Sequence, residues 1–317
     1  MTNNKGKKRV PAVRAGMLGS GNLLSTKGLK RSTRAWGMVC GVLAAVCYGT
    51  NPLGALKLYA EGMSTGSVLF YRFGLAWLII VAVLLLRHES LRVSRKEFWV
   101  LLGLGGLFSV SSLTLYLSFH LMDAGVASTI LFTYPVMTAV IMAVFFHERM
   151  KWMTIVSIVL SFIGVALLYG GGEGTLPLGG VVLVLLSALS YAVYIVVMNR
   201  SGLKMSSFKI NFYVLICCAM GALLYSLLCG EPITLPHSFT GWFYVGWLAI
   251  VPAIMALVLL VYAARFAGST TTAILGALEP LTAVLIGVVV FGEIFTVQLG
   301  VGIVLILGAV VLAAYGK

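Results

Sequence analysis

Long apolar runs separated by short polar segments make up most of this chain. Ten of them are long enough to cross a bilayer as helices, which takes about 20 mostly apolar residues at about 1.5 Å of rise each. Their approximate bounds are 36–56, 66–86, 98–119, 126–146, 153–170, 178–198, 208–228, 241–263, 270–291 and 297–315. The runs predict an all-α integral membrane protein with ten transmembrane helices joined by short loops.

The composition supports the same class. Hydrophobic residues make up 60% of the 317 residues and charged residues 10%, whereas soluble proteins average about 45–50% and about 25%. Such a chain cannot cover a water-facing surface with polar groups, which excludes a cytosolic enzyme, a disordered chain and a nucleic-acid-binding protein. The five cysteines are odd in number and lack the spacing of a metal site or a disulfide framework. We therefore expect neither a bound metal nor disulfide bonds.

The positive charges lie almost entirely on one side of the predicted membrane. If successive runs alternate in direction, 20 of the 22 Lys and Arg residues lie on the side of the N-terminus, Lys57 lies on the other side and Arg72 lies within a run. Positive loops mark the cytoplasmic side, so both termini are predicted to be cytoplasmic, in a bacterial-type inner membrane. Residues 1–35 hold nine of the cations and no acid. They predict a disordered basic tail that either lies against anionic lipids or serves only as a topology signal.

The fourth and ninth runs are similar in sequence. Residues 132–150 align with residues 276–295 at an offset of 145, and a weaker match relates the first run to the sixth. The aligned pairs are Tyr134 with Glu279, Pro135 with Pro280, Glu148 with Glu293, and, at an offset of 143, Tyr48 with Tyr191. The chain therefore divides into a tail and two five-helix halves, 36–170 and 171–317. Because five is odd, the second half enters the membrane from the opposite side, and such inverted repeats support alternating access in many transporters.

Several short motifs resemble a known family. They are the P-x(12)-E pattern of the fourth and ninth runs, FHE at 146–148, LEP at 278–280, FGE at 291–293 and YGTNPLGALK at 48–57. As a set they resemble the drug/metabolite transporter superfamily, in its EamA-type ten-helix branch, over roughly residues 36–316. The resemblance implies a central cavity between the two halves and the export of amino acids, metabolites or drugs, and it names no single substrate.

The predicted function is therefore a secondary transporter that moves small metabolites, such as amino acids or other amphiphilic solutes, by alternating access, with efflux as the expected direction. The alternative is a lipid-handling or assembly protein of the membrane that carries no solute. No Walker A or H-E-x-x-H motif occurs, so no enzymatic activity and no cofactor are predicted. The expected partners are a small-molecule substrate and membrane lipids. A homodimer, the coupling ion and the substrate are left open.

Glu279 is the first candidate site residue. It lies about 14 Å into its span at about 1.5 Å per residue, where an ionisable group is costly and is a functional candidate by default. Pro280 follows it and removes a backbone donor. Glu279 is either a proton-coupling or cation-binding group, or a carboxyl tied to a neighbouring helix in support of the bend. Tyr134 and Pro135 hold the equivalent positions in the first half, and Tyr134 either lines the cavity or packs.

Arg72 is the one cation within a run, about 9–10 Å deep at about 1.5 Å per residue. It either extends to the membrane surface or binds a carboxylate or phosphate with its bidentate fork. The resemblance of FYR at 70–72 to the family favours a third role, in gating or structure. Pro52 frees the backbone carbonyl of Tyr48 in the first run, and this carbonyl and the Asn51 amide both need polar partners.

Two sets of side chains at helical spacing complete the candidates. Tyr191 and Tyr194 lie one turn apart on the same helix face, which favours a cavity wall with Tyr48 over a lipid-facing surface. Ser112 and Tyr116 form a polar stripe that continues to His120 at the end of the third run. His120 could pair with Asp123 there, and a histidine at the end of a span is more often interfacial than catalytic.

Overall fold

The computed structural model describes residues 21–147, 152–169 and 177–315. Residues 1–20 of the predicted tail, Glu148 and the 170–174 loop lie outside the described residues. Within them, the chain forms fourteen α-helices, one π-helical segment and no strand. The first half contains α1 (Gly21–Gly49), α2 (Asn51–Ala60), α3 (Thr65–Leu86), α4 (Arg95–Ser118), α5 (Ala124–Leu131), α6 (Tyr134–Phe146) and α7 (Trp152–Tyr169). The second half contains α8 (Leu178–Arg200), α9 (Ser207–Cys229), α10 (Phe239–Ile250), the π-helical segment Val251–Met255, α11 (Ala256–Ala267), α12 (Ser269–Gly276), α13 (Leu278–Phe291) and α14 (Val297–Tyr315).

Eight helical segments of the described residues are long and apolar enough to cross a membrane, and two further apolar helices are shorter. The eight are Arg34–Ala60, Thr65–Leu86, Arg95–Ser118, Ala124–Phe146, Leu178–Arg200, Ser207–Cys229, Phe239–Ala267 and Ile274–Phe291, and the shorter pair is Trp152–Leu168 and Val297–Leu312. The all-helical, membrane-spanning class is thereby confirmed. The count of ten spanning helices and the sides of the termini stay predictions.

Four of the predicted runs are interrupted rather than continuous. The first divides after Thr50, the fourth at 132–133 and the ninth at Ala277, and each break precedes a proline by two or three residues. Proline has no N–H to donate and is tolerated in the first turn of a new helix, so each break starts a helix at a position where proline costs little. The eighth run contains the π-helical segment at Pro252, which the sequence analysis did not predict.

Serine side chains define where several helices begin. Ser64, Ser94, Ser206 and Ser238 each accept a hydrogen bond from a backbone N–H three residues later. Ser94 also forms a full capping box, because the Glu97 carboxylate accepts from the Ser94 N–H at 2.7 Å. These caps satisfy N–H groups that an α-helix leaves free in its first turn.

Helices of the two halves pack against each other throughout the bundle. The main pairs across the halves are α1 with α11, α7 with α14, α3 with α9, α4 with α8 and α9, and α5 with α13. Glycine permits the approach of α4 to α9, since a Cβ built on Gly105 would overlap the Cβ of Cys217. One continuous core of buried apolar side chains includes residues of both halves. A site between the halves is therefore surrounded by both.

Hydrogen bonds between the halves connect both ends of the bundle. At the end that we call the basic end, which carries segments 87–94 and 201–206, the Ser206 hydroxyl donates to the Glu89 carboxylate at 2.5 Å and Lys209 Nζ donates to the Arg92 carbonyl at 2.6 Å. The opposite end, called the acidic end, carries segments 61–64, 119–123, 230–238 and 292–296. There the Ser238 hydroxyl donates to the Glu61 carboxylate at 2.7 Å.

Candidate functional site

A cavity of about 710 Å³ lies between the two halves. Its lining comes from α1, α2, α3, α4, α5 and α6 of the first half and from α8, α11, α12, α13 and α14 of the second half. The predicted site residues in the lining are Tyr48, Asn51, Arg72, Ser112, Tyr116, Tyr134, Pro135, Tyr191 and Glu279. The structure thus brings together nine of the twelve residues that the sequence singled out, and their roles stay predictions.

The most polar part of the cavity surrounds Arg72. Its side chain is 7% exposed, so it does not extend to the membrane surface, and its Nη1 donates a hydrogen bond to the hydroxyl of Tyr116. The Tyr116 hydroxyl donates in turn to Oδ1 of Asn51 at 3.5 Å. These three side chains come from three helices, α3, α4 and α2. The arrangement presents a cation and neutral polar groups to the cavity.

A cluster of aromatic rings forms another wall. Tyr134 meets Tyr191 edge to face with ring centres 4.7 Å apart, and Tyr191 stacks on Tyr194 at 5.8 Å. Phe108 contacts both Tyr191 and Tyr194, at 5.9 Å and 5.4 Å. Tyr194 therefore supports the wall from behind without lining the cavity. Tyr134 does both of the things proposed for it, because it lines the cavity and packs.

Glu279 and Tyr134 lie at equivalent helix breaks in the cavity lining. Glu279 is the second residue of α13 and Tyr134 the first residue of α6. Among the described residues, the Glu279 carboxylate receives no hydrogen bond from a neighbouring helix, and the residue lines the cavity. Pro135 lines the cavity beside Tyr134, whereas Pro280 and Pro52 are buried behind the lining in the first turns of α13 and α2.

The polar side chains of α4 lie in two different environments. Ser112 lines the cavity, and its neighbour Ser111 contacts Ser187 of α8 at 3.1 Å. His120 has a partner other than Asp123, with which the sequence allowed a pair. Its Nε2 lies 3.0 Å from Thr65 Oγ1 and its ring stacks on Tyr59 at 4.1 Å, because α3 begins close to the end of α4.

A carboxylate connects the two halves at the acidic end. Glu293 follows α13 and accepts hydrogen bonds from the backbone N–H groups of Ala124 at 2.9 Å and Gly125 at 3.2 Å. These two amides are the first of α5, where a negative charge is favoured by the free N–H groups and the helix dipole. Burial raises the pKa of the Glu293 carboxyl, Asp123 adds to the increase, and the two amide donors oppose it.

Several lining residues were not predicted from the sequence. Phe108, Phe132, Thr272, Gly276 and Val310 all line the cavity. Phe132 and Gly276 are within two residues of the paired helix breaks, so the internal repeat could have identified them. Nothing in the sequence distinguishes Phe108 or Val310 from the many apolar residues that face lipid. Among the described residues, no group of three or more His, Cys, Asp and Glu side chains could hold a metal ion.

Fold and cavity together define a multi-pass helical membrane protein with an internal site between two interleaved halves. A model of the EamA-like transporter family matches residues 35–170 and again residues 178–315. The chain therefore belongs to the EamA-like transporter family, with the family domain present twice.

Curated relatives carry transporter names without an assigned substrate. An uncharacterized transporter of Archaeoglobus fulgidus is 28% identical over 88% of this chain and 96% of its own length. An uncharacterized transporter of Synechocystis is 29% identical over 71% of this chain and 69% of its own. The uncharacterized inner membrane transporter YedA of Escherichia coli is 25% identical over 78% of this chain and 80% of its own. These relatives support a membrane transporter.

One solved structure has a similar fold. This crystal structure has a TM-score of 0.64 with this chain, at 21% identity. The match covers 87% of this chain and 97% of that one. At this identity the likeness concerns the fold alone.

Proposed function

We propose that this protein is a secondary transporter that exports small amphiphilic metabolites, amino acids among them, by alternating access around the central cavity. The observation that carries the proposal is the cavity itself, which is lined from both halves and includes the repeat-related helix breaks at Tyr134 and Glu279. Interrupted helices at mid-depth expose polar backbone groups to a substrate, and paired halves of opposite direction can exchange conformations around one site. An internal cavity of this size suits a small molecule.

The proposal includes ten spanning helices in two inverted repeats, with both termini in the cytoplasm of a cell whose inner membrane holds the protein. Support comes from the distribution of cations, because Lys and Arg concentrate at the basic end and Lys57 lies at the acidic end. In this orientation the cavity extends toward the cytoplasm, since Ala264 and Thr272 line it on either side of the α11–α12 turn at the basic end. The contact of Glu293 with α5 then closes the outer end.

Counterflow in proteoliposomes tests this function. Vesicles containing the purified protein are loaded with a mixed pool of amino acids and metabolites, and efflux is followed by mass spectrometry with and without a pH gradient. We expect saturable efflux that depends on the gradient and loses this dependence in Glu279→Gln, because an amide cannot take up a proton from the cavity. The control is Glu97→Gln, because the Glu97 carboxylate of the wild type caps α4 away from the cavity.

Each outcome of this experiment has a defined meaning. Efflux whose gradient dependence is unchanged in Glu279→Gln would assign Glu279 a structural role and the coupling to another group. Efflux that does not depend on the gradient in either protein would make the mechanism facilitated diffusion. The absence of efflux from protein that is demonstrably folded would contradict the transporter proposal.

A second candidate function has one observation in its favour. An apolar groove of about 840 Å³ lies between α13 and α14, lined by residues such as Leu285, Phe295 and Val301. A groove of this composition suits an acyl chain, which is what a lipid-handling protein of the membrane would need. Binding of lipids alone from a panel that also contains the metabolites would favour this function over solute transport.

A further inference from the structure

Arg72 is a buried cation that shares the cavity with the Glu279 carboxylate, which interacts with it electrostatically without forming an ion pair. Among the described residues it is the one charged side chain that falls in the buried class, and it lines the cavity. A guanidinium has five N–H donors. In Arg72, Nη1 donates to the Tyr116 hydroxyl, whereas Nε has no hydrogen-bond partner. In the part of the chain that the structure describes, no carboxylate forms an ion pair with it.

The groups in direct contact with the guanidinium are neutral. The centre of the guanidinium lies 5.1 Å from the ring centre of Phe73 and 5.3 Å from that of Tyr116, and Asn51 accepts from the Tyr116 hydroxyl. Ring faces attract a cation, yet they do not replace the counterion that a buried charge requires. An anion that enters the cavity would bind the guanidinium donors directly, which Glu279 does not do.

A purely structural role does not account for this arrangement. A tie between α3 and α4 through the Tyr116 hydroxyl needs one neutral donor, and the charge of Arg72 would add only a desolvation cost. Extension to the membrane surface is ruled out by the 7% exposure of the side chain. The planar fork of arginine is instead the group that binds carboxylates and phosphates with two parallel hydrogen bonds.

The remaining lining limits the charge and shape of the anion. Glu279 is the one acidic side chain in the lining, so an ionised carboxylate there would repel a dianion such as a phosphate more than a monoanion. The other walls are mostly apolar and aromatic, which suits an apolar body. The aromatic residues of the lining are Tyr48, Phe108, Tyr116, Phe132, Tyr134 and Tyr191.

We propose that the Arg72 end of the cavity is a subsite for the single carboxylate of an amphiphilic solute, with Tyr116 and Asn51 holding the guanidinium in position and the tyrosine walls receiving the apolar body. This subsite rests on the proposed transport function, for which it specifies the class of substrate.

Equilibrium binding to the purified protein in nanodiscs tests the subsite. The probes share one body and differ in their head group: 4-phenylbutyrate, its neutral amide and the corresponding phosphonate. We expect the wild type to bind the carboxylate at least about tenfold more tightly than the amide, since hydrogen bonds to a charged partner contribute about that factor or more. The phosphonate is expected to bind more weakly than the carboxylate.

Variants of Arg72 identify the residue responsible. Arg72→Gln is expected to bind carboxylate and amide equally, whereas Arg72→Lys retains the charge but loses the fork and gives an intermediate preference. The control is Arg87→Gln, an exposed arginine that stacks on Phe208 at 4.7 Å at the basic end and should bind as the wild type does. If Arg72→Gln does not fold, the Arg72→Lys variant and the wild-type comparison of the three probes still decide.

Four results would each overturn the subsite. In the wild type they are equal binding of carboxylate and amide, tighter binding of the phosphonate than of the carboxylate, and no binding of any probe. In Arg72→Gln it is an unchanged preference for the carboxylate. Because binding is measured without flux, the two proposals fail separately. Carboxylate binding through Arg72 without counterflow would retain the subsite and contradict transport. Counterflow without any preference for carboxylates would retain transport and contradict the subsite.

Discussion

Single glycines decide how closely neighbouring helices approach. Gly105 and Gly103 lie two residues apart on α4, but they face different surroundings. A Cβ on Gly105 would overlap Cys217 of α9, whereas a Cβ on Gly103 would meet nothing within 4 Å. The pair separates the effect of a side chain at a helix contact from the effect of glycine on helix stability.

We expect Gly105→Ala to destabilise the protein by about 1–3 kcal/mol, because the added methyl forces α4 and α9 apart. Gly103→Ala should be neutral or stabilise the helix by up to about 1 kcal/mol, since alanine is the better helix former. Thermal unfolding in detergent measures both. Equal stability of the two variants would contradict the close approach.

At the same scale, the sequence identified polar candidates well and apolar ones poorly. Tyr48, Arg72 and Glu279 stand out because polar and ionisable groups are rare and costly within a span, and all three line the cavity. Phe108 and Val310 do not stand out, since a cavity and a lipid tail make the same demand on an apolar side chain. The contact of His120 with Thr65 was not predicted because the two residues are distant in sequence.

At the scale of helices, the contact between Glu293 and α5 fastens one half to the other. The Glu293 carboxylate accepts hydrogen bonds from the two free N–H groups at the start of α5. Burial together with Asp123 raises the pKa of this carboxyl. A pKa that is higher in the contact than in water means that the contact binds a proton more readily than the separated ends do. Acidification therefore favours the contact, and alkaline pH weakens it.

Hydrogen exchange at the Ala124 and Gly125 amides checks this dependence. After correction for intrinsic exchange rates, protection of both amides should rise as the pH falls toward the raised pKa of Glu293. In Glu293→Gln the protection should no longer depend on pH, while Glu97→Gln at the other end of α4 should behave as the wild type. Protection that falls on acidification in the wild type would show that the sign is wrong.

The positions of helices were predictable to within a few residues, and three of their four interruptions lie at prolines that the sequence indicates as bends. Proline marks the breaks at Pro52, Pro135 and Pro280, because it cannot continue the backbone ladder of an α-helix. The same residue at Pro252 widens one turn into a π-helical segment without a break. Whether a proline produces a break or a π-helical segment depends on contacts with neighbouring helices, and the local sequence does not specify these contacts.

At the scale of the whole molecule, the orientation in the membrane can be tested with a natural cysteine. Cys229 is exposed at the end of α9, whereas Cys40 and Cys218 are buried and Cys47 and Cys217 are half-buried. The proposed topology places Cys229 on the outer side.

A membrane-impermeant maleimide added to intact cells is therefore expected to modify the wild type and to leave Cys229→Ser unlabelled. Labelling that requires permeabilised cells would reverse the proposed orientation.

The internal repeat predicted that two halves exist, but only the three-dimensional structure shows how closely they interleave, as in the packing of α1 on α11 and of α7 on α14.

The burial of Arg72 has a consequence for the energy source of transport. A fixed positive charge within the membrane lowers the electrostatic barrier for a passing monoanion, which would leave the cell with its own charge. A membrane voltage of about 100 mV, negative inside, changes the free energy of a unit charge by about 2.3 kcal/mol. Efflux of such a solute would be electrogenic, and the voltage would add a driving force equal to a roughly fiftyfold concentration ratio to that of the pH gradient.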